Sequence, residues 1–220
     1  MVKKERHVLV IFPHPDDEAF GVSGTISAHI ANGTPVTYAC LTLGEMGRNV
    51  GNPPIATRES LPDVRKKELE EAADAMGLTD LRMMGYRDKT LEFLAPGVLK
   101  GMVEELVAEL NPTLVISFYP EHSVHPDHNA TAAAVVEALA DMPKETRPTL
   151  YAVAITLDNP DVVYSVKDYM REKLLALRAH HSQFGATFAE REKHYRDGDP
   201  EIAERLENER FFDYKFADDA

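Results

Sequence analysis

Several features are scarce in this chain. Cys40 is the single cysteine in 220 residues. An internal disulfide is therefore excluded, and a reducing, cytoplasmic setting is expected. Basic charge is also short: 24 Lys and Arg stand against 37 Asp and Glu, for a net charge of −13. A surface of that sign disfavours phosphate backbones and anionic lipid, so neither nucleic acid nor a membrane is an expected partner. No apolar run is long enough to span a bilayer, and the charged segment Met1 to Arg6 does not read as a signal peptide. Internal repeats and low-complexity tracts are missing too. With 44% hydrophobic residues the chain can bury one core, and a single domain is expected over residues 1–220, with a helical tail from about residue 186.

What is present is an alternation of strands and helices. Val8 to Phe12 is a continuous apolar, β-branched run, the pattern of a strand buried on both faces of a parallel sheet. Val36 to Leu41, Thr113 to Phe118 and Thr149 to Ile155 repeat it, with shorter candidates at Leu81 to Met84 and Val162 to Val166. Helical patterns lie between them: one from Asp16-Asp17 to Asn32-Gly33, one over Asp63 to Met76, one from Pro96-Gly97 to Leu110, an alanine-rich one ending near Ala140, and one over Lys167 to His181. Pro200 to Glu209 reads as a further helix, with Phe211, Phe212, Tyr214 and Phe216 as docking residues. The expected fold class is α/β: a Rossmann-like, doubly wound, mainly parallel sheet with helices on both faces. In such a sheet ligands bind where the first strand and the strand that opens the second half diverge. Thr113 to Phe118 fills the second role.

Two polar loops leave those two strands. The first is Pro13-His14-Pro15-Asp16-Asp17-Glu18, and the second runs from Tyr119 to His128 with His122, His125, Asp127 and His128. The first turn is acidic and holds two prolines without N–H groups, so it does not suit the pyrophosphate of a dinucleotide. Imidazoles and carboxylates suit a metal ion. Two His and one Asp around Zn²⁺ leave a position open for water, as hydrolytic zinc sites require, although such a donor set also accepts Fe²⁺ or Co²⁺. A spare carboxylate next to that water can act as general base, and a further His can stabilise an oxyanion.

Val10-Ile11-Phe12-Pro13-His14-Pro15-Asp16-Asp17-Glu18 and His125-Pro126-Asp127-His128 closely resemble the two signature motifs of the LmbE-like, PIG-L family of zinc-dependent N-acetylglucosaminyl deacetylases. Pro13 stands where the family usually has alanine. Carried over residue by residue, the resemblance implies that His14, Asp17 and His128 bind zinc, that Asp16 is the general base and that His125 stabilises the tetrahedral intermediate. Some relatives have a tyrosine two positions before the first His of the second motif; this chain has Ser123. Arg65-Lys66-Lys67-Glu68 resembles the family's Arg-x-x-Glu helix and implies a substrate-binding role for Arg65. The segments Thr42 to Asn49, Arg87 to Thr90 and His180 to Gln183 look most like the branch that deacetylates N-acetylglucosaminyl malate in bacillithiol synthesis. On that likeness Arg48, Arg58 or Arg65 meets the malate carboxylate, Asp88 holds sugar hydroxyls and Glu45 joins the substrate site. Relatives form trimers or hexamers, so a homo-oligomer is expected. The alternatives are a deacetylase of chitin-derived sugars, an amidase of a thiol conjugate, and a zinc-dependent sugar-binding protein without catalysis.

Each residue also has an ordinary role open to it. Asp16 or Asp17 alone is a common helix cap, and Arg65 beside Lys66, Lys67 and Glu71 fits a solvated helix face. His122, His180 and His181 are open between supporting the site and lying on the surface. Glu18 reads as a carboxylate at the helix entry that supports the site.

Overall fold

The first strand, β1 (Val8–Phe12), divides the protein's interior by simple alternation. Val8, Val10 and Phe12 face one apolar layer with Tyr38, Cys40, Leu69 and Met76, whereas Leu9 and Ile11 face another with Val103, Leu106, Val135 and Leu139. All five side chains of β1 are fully buried, each stabilising the fold by about 1.5–3 kcal/mol. The computed structural model describes residues 2–48, 53–123 and 125–219. Asn49, from the segment Thr42 to Asn49, and Val124, from the histidine loop, lie outside the described residues.

Seven strands form the sheet, in the order β3-β2-β1-β4-β5-β7-β6. They are β1, β2 (Val36–Cys40), β3 (Asp80–Met83), β4 (Leu114–Phe118), β5 (Thr149–Val153), β6 (Val162–Ser165) and β7 (Asn208–Asp213). The first five pair in parallel, and β7 runs antiparallel to both β5 and β6. Helices α1 (Asp17–Gly21), α2 (Ser23–Ala31), α3 (Leu61–Met76) and α6 (Met170–Ala179) pack on one face; α4 (Val98–Leu110) and α5 (Pro126–Ala140) cover the other. This is the expected α/β class, with a mixed edge added. Among the described residues no helix is long and apolar enough to cross a membrane.

The register opens the crevice. Pairing of β1 with β2 continues to Phe12↔Cys40, but pairing with β4 stops at Val10↔Ile116. Past that point the Ser117 hydroxyl donates to the carbonyl of Ile11 at 2.9 Å, and the loops after β1 and β4 part company. Both sequence motifs therefore leave the same end of adjacent strands.

Two elements differ from expectation. The helix after Asp16-Asp17 is broken at Val22 (φ −147°), giving α1 and α2. The cause lies far along the chain: buried Glu209 accepts the N–H groups of Gly24 and Thr25 at 3.0 and 2.7 Å and so caps α2 from β7. Gly24 also lets α2 approach Val166, which a Cβ would overlap. The tail beyond residue 186 continues α7 (His181–Arg196) and forms α8 (Pro200–Glu207), after which only a 3-10 turn over Ala217–Asp219 is helical among the described residues. Asn208–Asp213 enters the sheet because β5 and β6 need a strand between them, and Phe211 is buried in that slot.

Candidate active site

Donor atoms from both loops converge at the crevice. His14 Nδ1 and His128 Nε2 lie 3.2 Å apart. Asp17 Oδ1 is 3.2 Å from His128 Nε2, and Asp17 Oδ2 is 3.5 Å from His14 Nδ1. These side chains are 9% (His14), 9% (Asp17) and 12% (His128) exposed. Neighbouring vertices of a tetrahedron around Zn²⁺ with bonds near 2.0–2.1 Å are about 3.3 Å apart, so the spacing and the N,N,O donor set fit such an ion with one vertex left over. The rings themselves favour this reading, because two imidazole nitrogens that face each other need a shared proton or a shared cation between them.

The back of each ring is also occupied. His14 Nε2 meets Asp127 Oδ2 at 3.3 Å and Asp88 Oδ1 at 3.2 Å. Both carboxylates are held by backbone amides, Asp127 by Lys89 and Leu91 and Asp88 by Met46. His14, Asp88 and Asp127 also form a buried cluster of potential metal donors. Those carboxylates hold the far side of the ring and direct its proton to Nε2, which leaves the Nδ1 lone pair facing His128 and Asp17. Burial opposes charge on His14, yet Asp127, Asp17 and Asp88 hold its pKa well above the usual value. His128 turns Nδ1 to the Ser123 hydroxyl at 2.8 Å and stacks on Phe118, with centroids 4.0 Å apart. Ser123 thus holds a ring.

Asp16 and Asp17 are adjacent, yet their side chains diverge. Burial would raise Asp17, but His128 and His14 keep it far below the usual carboxylate range. Asp16 turns the other way, and Arg65 Nη2 donates to its Oδ2 at 3.1 Å. Burial pushes Asp16 up to about 7; Arg65 opposes that rise and Asp17 adds to it. Neither aspartate makes a side-chain cap, so the ordinary helix-cap role does not apply. His125 begins α5, where its Nδ1 accepts the Asp127 amide at 3.2 Å, so the ring proton resides on Nε2. Burial, then His14 and His128, lower its pKa and favour the neutral ring.

The four expected substrate residues are distributed differently. Arg65 is 4% exposed and is no part of a solvated face. Its guanidinium donates to Gly44 O at 3.0 Å, to Pro15 O and to Asp16. Gly44 (φ +61°) makes this possible, since a Cβ there would overlap the guanidinium. Asp88 is 2% exposed behind His14. Glu45 Oε1 accepts the Asp88 amide at 3.2 Å, and Glu45 lines a cavity of roughly 470 Å³ with Met46, Arg58, Tyr86 and Arg87. Arg48 is exposed, on the same loop.

Glu18, read as a carboxylate at the helix entry, and Glu68 acquire partners that the sequence left open. Glu18 is fully buried and receives His180 Nε2 at 2.5 Å. Glu68 receives the amide and hydroxyl of Ser182, each at 2.7 Å. His181 is 60% exposed in its side chain, and His122 bonds Thr156 at 3.0 Å. The missed signal was periodicity. Lys173, Ala176, Leu177 and His180 share one buried helical stripe, as do Leu61, Arg65, Glu68, Leu69, Ala72 and Met76. A polar residue in an apolar stripe needs a buried partner.

With the geometry in hand, comparison with known proteins places it among relatives. The family model PIG-L, GlcNAc-PI de-N-acetylase, matches residues 9–139. A probable N-acetyl-alpha-D-glucosaminyl L-malate deacetylase 2 of Bacillus anthracis is 55% identical over 223 residues, covering 99% of each chain. The structure of an N,N'-diacetylchitobiose deacetylase from Pyrococcus horikoshii superimposes with a TM-score of 0.72 at 26% identity, covering 94% of this chain and 83% of that one. GalB, a 4-carboxy-2-hydroxymuconate hydratase from Pseudomonas putida, gives the same TM-score at 17% identity, over 94% of this chain and 95% of its own. That last likeness concerns the fold alone, and it shows why activity has to be read from the site.

Proposed function

We propose a function for this site from one premise: the chain belongs to the PIG-L de-N-acetylase family. It is a hydrolase that cleaves an acetamide C–N bond, and its substrate is N-acetylglucosaminyl malate, the conjugate deacetylated on the way to bacillithiol. One observation carries the chemistry: Asp17 points into the facing imidazoles of His14 and His128, while Asp16 points away beside them. Full-length likeness to a malate deacetylase supports the substrate.

His14, Asp17 and His128 would hold the metal, with zinc our choice over Fe²⁺ or Co²⁺. When bound, zinc supplies Lewis acidity and brings a water within reach of deprotonation near neutral pH. Asp16, poised at about 7, accepts the proton of the attacking water. His125 donates a hydrogen bond from its Nε2–H to the developing oxyanion, as its neutral tautomer allows. Asp16 then returns the proton to the sugar nitrogen as the C–N bond breaks and acetate leaves. Arg65 lies against Asp16, so we assign it to the base. The malate carboxylates are assigned to the cavity beside Glu45, where Arg58 and Arg87 make no ion pair among the described residues. A cytoplasmic setting belongs to this reading.

Acetate release tests it, with N-acetylglucosaminyl malate, N-acetylglucosamine and diacetylchitobiose compared on one sample of measured metal content. The malate conjugate should react fastest, and chelation should stop the reaction. Faster turnover of diacetylchitobiose would shift the substrate to chitin-derived sugars; tight sugar binding without acetate release would leave only a binding protein.

A further inference from the structure

Asp16 has φ +104°, a strained backbone state for a non-glycine residue that persists only where surroundings impose it. That twist separates the two aspartates, sending one carboxylate to the imidazoles and the other to Arg65. It is fixed from the amide side. The Asp16 N–H donates to Glu18 Oε2 at 3.0 Å, so a side chain two residues ahead reaches back to set the turn. Glu18 is itself held on both oxygens. Tyr38 donates its hydroxyl to Oε2 at 3.2 Å, and His180 Nε2 meets Oε1 at 2.5 Å. His180 comes from the α6–α7 junction, 162 residues away. Among the described residues Glu18 is the one hydrogen-bond partner of its ring, because Nδ1 has none.

Both residues are fully buried. A buried pair of this kind is often no more stabilising than apolar side chains of the same size, so packing alone does not call for it. We infer that Glu18 and His180 are a positioning pair: His180 fixes the Glu18 carboxylate, Glu18 fixes the Asp16 backbone, and that backbone aims Asp16 and Asp17 at different targets. Neither residue touches the reacting atoms. What is positioned rests on the deacetylase reading, whereas the link from His180 to the turn does not.

The experiment compares His180→Leu, which removes the donor, with His180→Gln, whose amide can still donate to Glu18. Steady-state rates on N-acetylglucosaminyl malate at saturating zinc are paired with metal content and with amide hydrogen exchange over residues 13–20. In His180→Leu, kcat should fall about 10- to 100-fold while zinc stoichiometry is kept. Its KM should stay within about threefold, and exchange over 13–20 should quicken without change in β4. His180→Gln should recover most of both losses. If His180→Leu does not fold, His180→Asn, too short to reach Oε1, takes its place with the same expectation. Wild-type kcat and exchange in the donor-less variant overturn the pair, and so does a His180→Gln variant as impaired as His180→Leu in both readouts. A wild-type protein that releases no acetate overturns the deacetylase reading instead, and exchange alone then decides the pair.

Discussion

The two loops that meet at the crevice are built in opposite ways. The histidine loop after β4 is held by its own neighbours: Ser123 is five positions from His128, Asp127 is two from His125, and Phe118 stacks on His128. The aspartate loop after β1 is held from far away. Arg65 is 49 positions from Asp16, Asp127 is 113 from His14 and His180 is 162 from Glu18. A short segment can carry the geometry of its histidines, but the aspartates acquire theirs only when the rest of the fold closes around them. The loop with the chemically more exacting task, separating two like charges that touch in sequence, is the one braced by the whole molecule.

That contrast can be broken at several points. The largest effect belongs to the donors both loops share: His128→Ala should abolish metal retention and bring acetate release to background, as chelation should in the wild type, and metal analysis beside the assay checks it. Next comes Asp16→Asn, which should lower kcat about 10²- to 10⁴-fold with metal content and sugar binding unchanged. Full activity would remove Asp16 as the base. Distant bracing is tested by Arg65→Met, for which a drop in kcat of about 10- to 100-fold is expected, with metal retained. Local bracing is tested by Ser123→Ala, expected to cost only about tenfold because Phe118 still stacks on the ring. If Ser123→Ala proves worse than Arg65→Met, the contrast between the loops is wrong.

A residue outside both loops serves as control. His29 in α2 is 1% exposed, neither ring nitrogen has a partner among the described residues, and burial lowers its pKa from 6.5 to about 4. The unfolded chain therefore binds a proton that the folded chain refuses as pH falls below 6.5, and stability drops until about pH 4. By pH 5.5 the loss is about 1.4 kcal/mol. His29→Leu should flatten that part of the pH–stability curve, read by urea denaturation, with kcat unmoved.

The parallel strands were legible because each is an unbroken apolar run, and the crevice followed from their order. The residues proposed as metal donors could be singled out because both motifs are short and local. The rest depended on contacts no local pattern displays. The break between α1 and α2 is set by Glu209, 185 positions from Gly24, and β7 reads as polar because Asn208, Glu209 and Arg210 outweigh Phe211. For Arg65, given a substrate-binding role by resemblance, the charged neighbours in sequence left a solvated face open as the alternative. Its helical phase, in line with Leu61, Leu69, Ala72 and Met76, indicated otherwise.

The position of β7 carries a consequence for synthesis. Every residue assigned to the chemistry has been made once His128 emerges from the ribosome, yet among the described residues β6 pairs with β7 alone and α2 takes its cap from β7. The nascent chain therefore carries an unpaired strand and an uncapped helix until Asn208–Asp213 arrives. Folding of this design therefore waits on late segments, and the turn of Asp16 and Asp17, though encoded early, takes its shape only after His180 has been made.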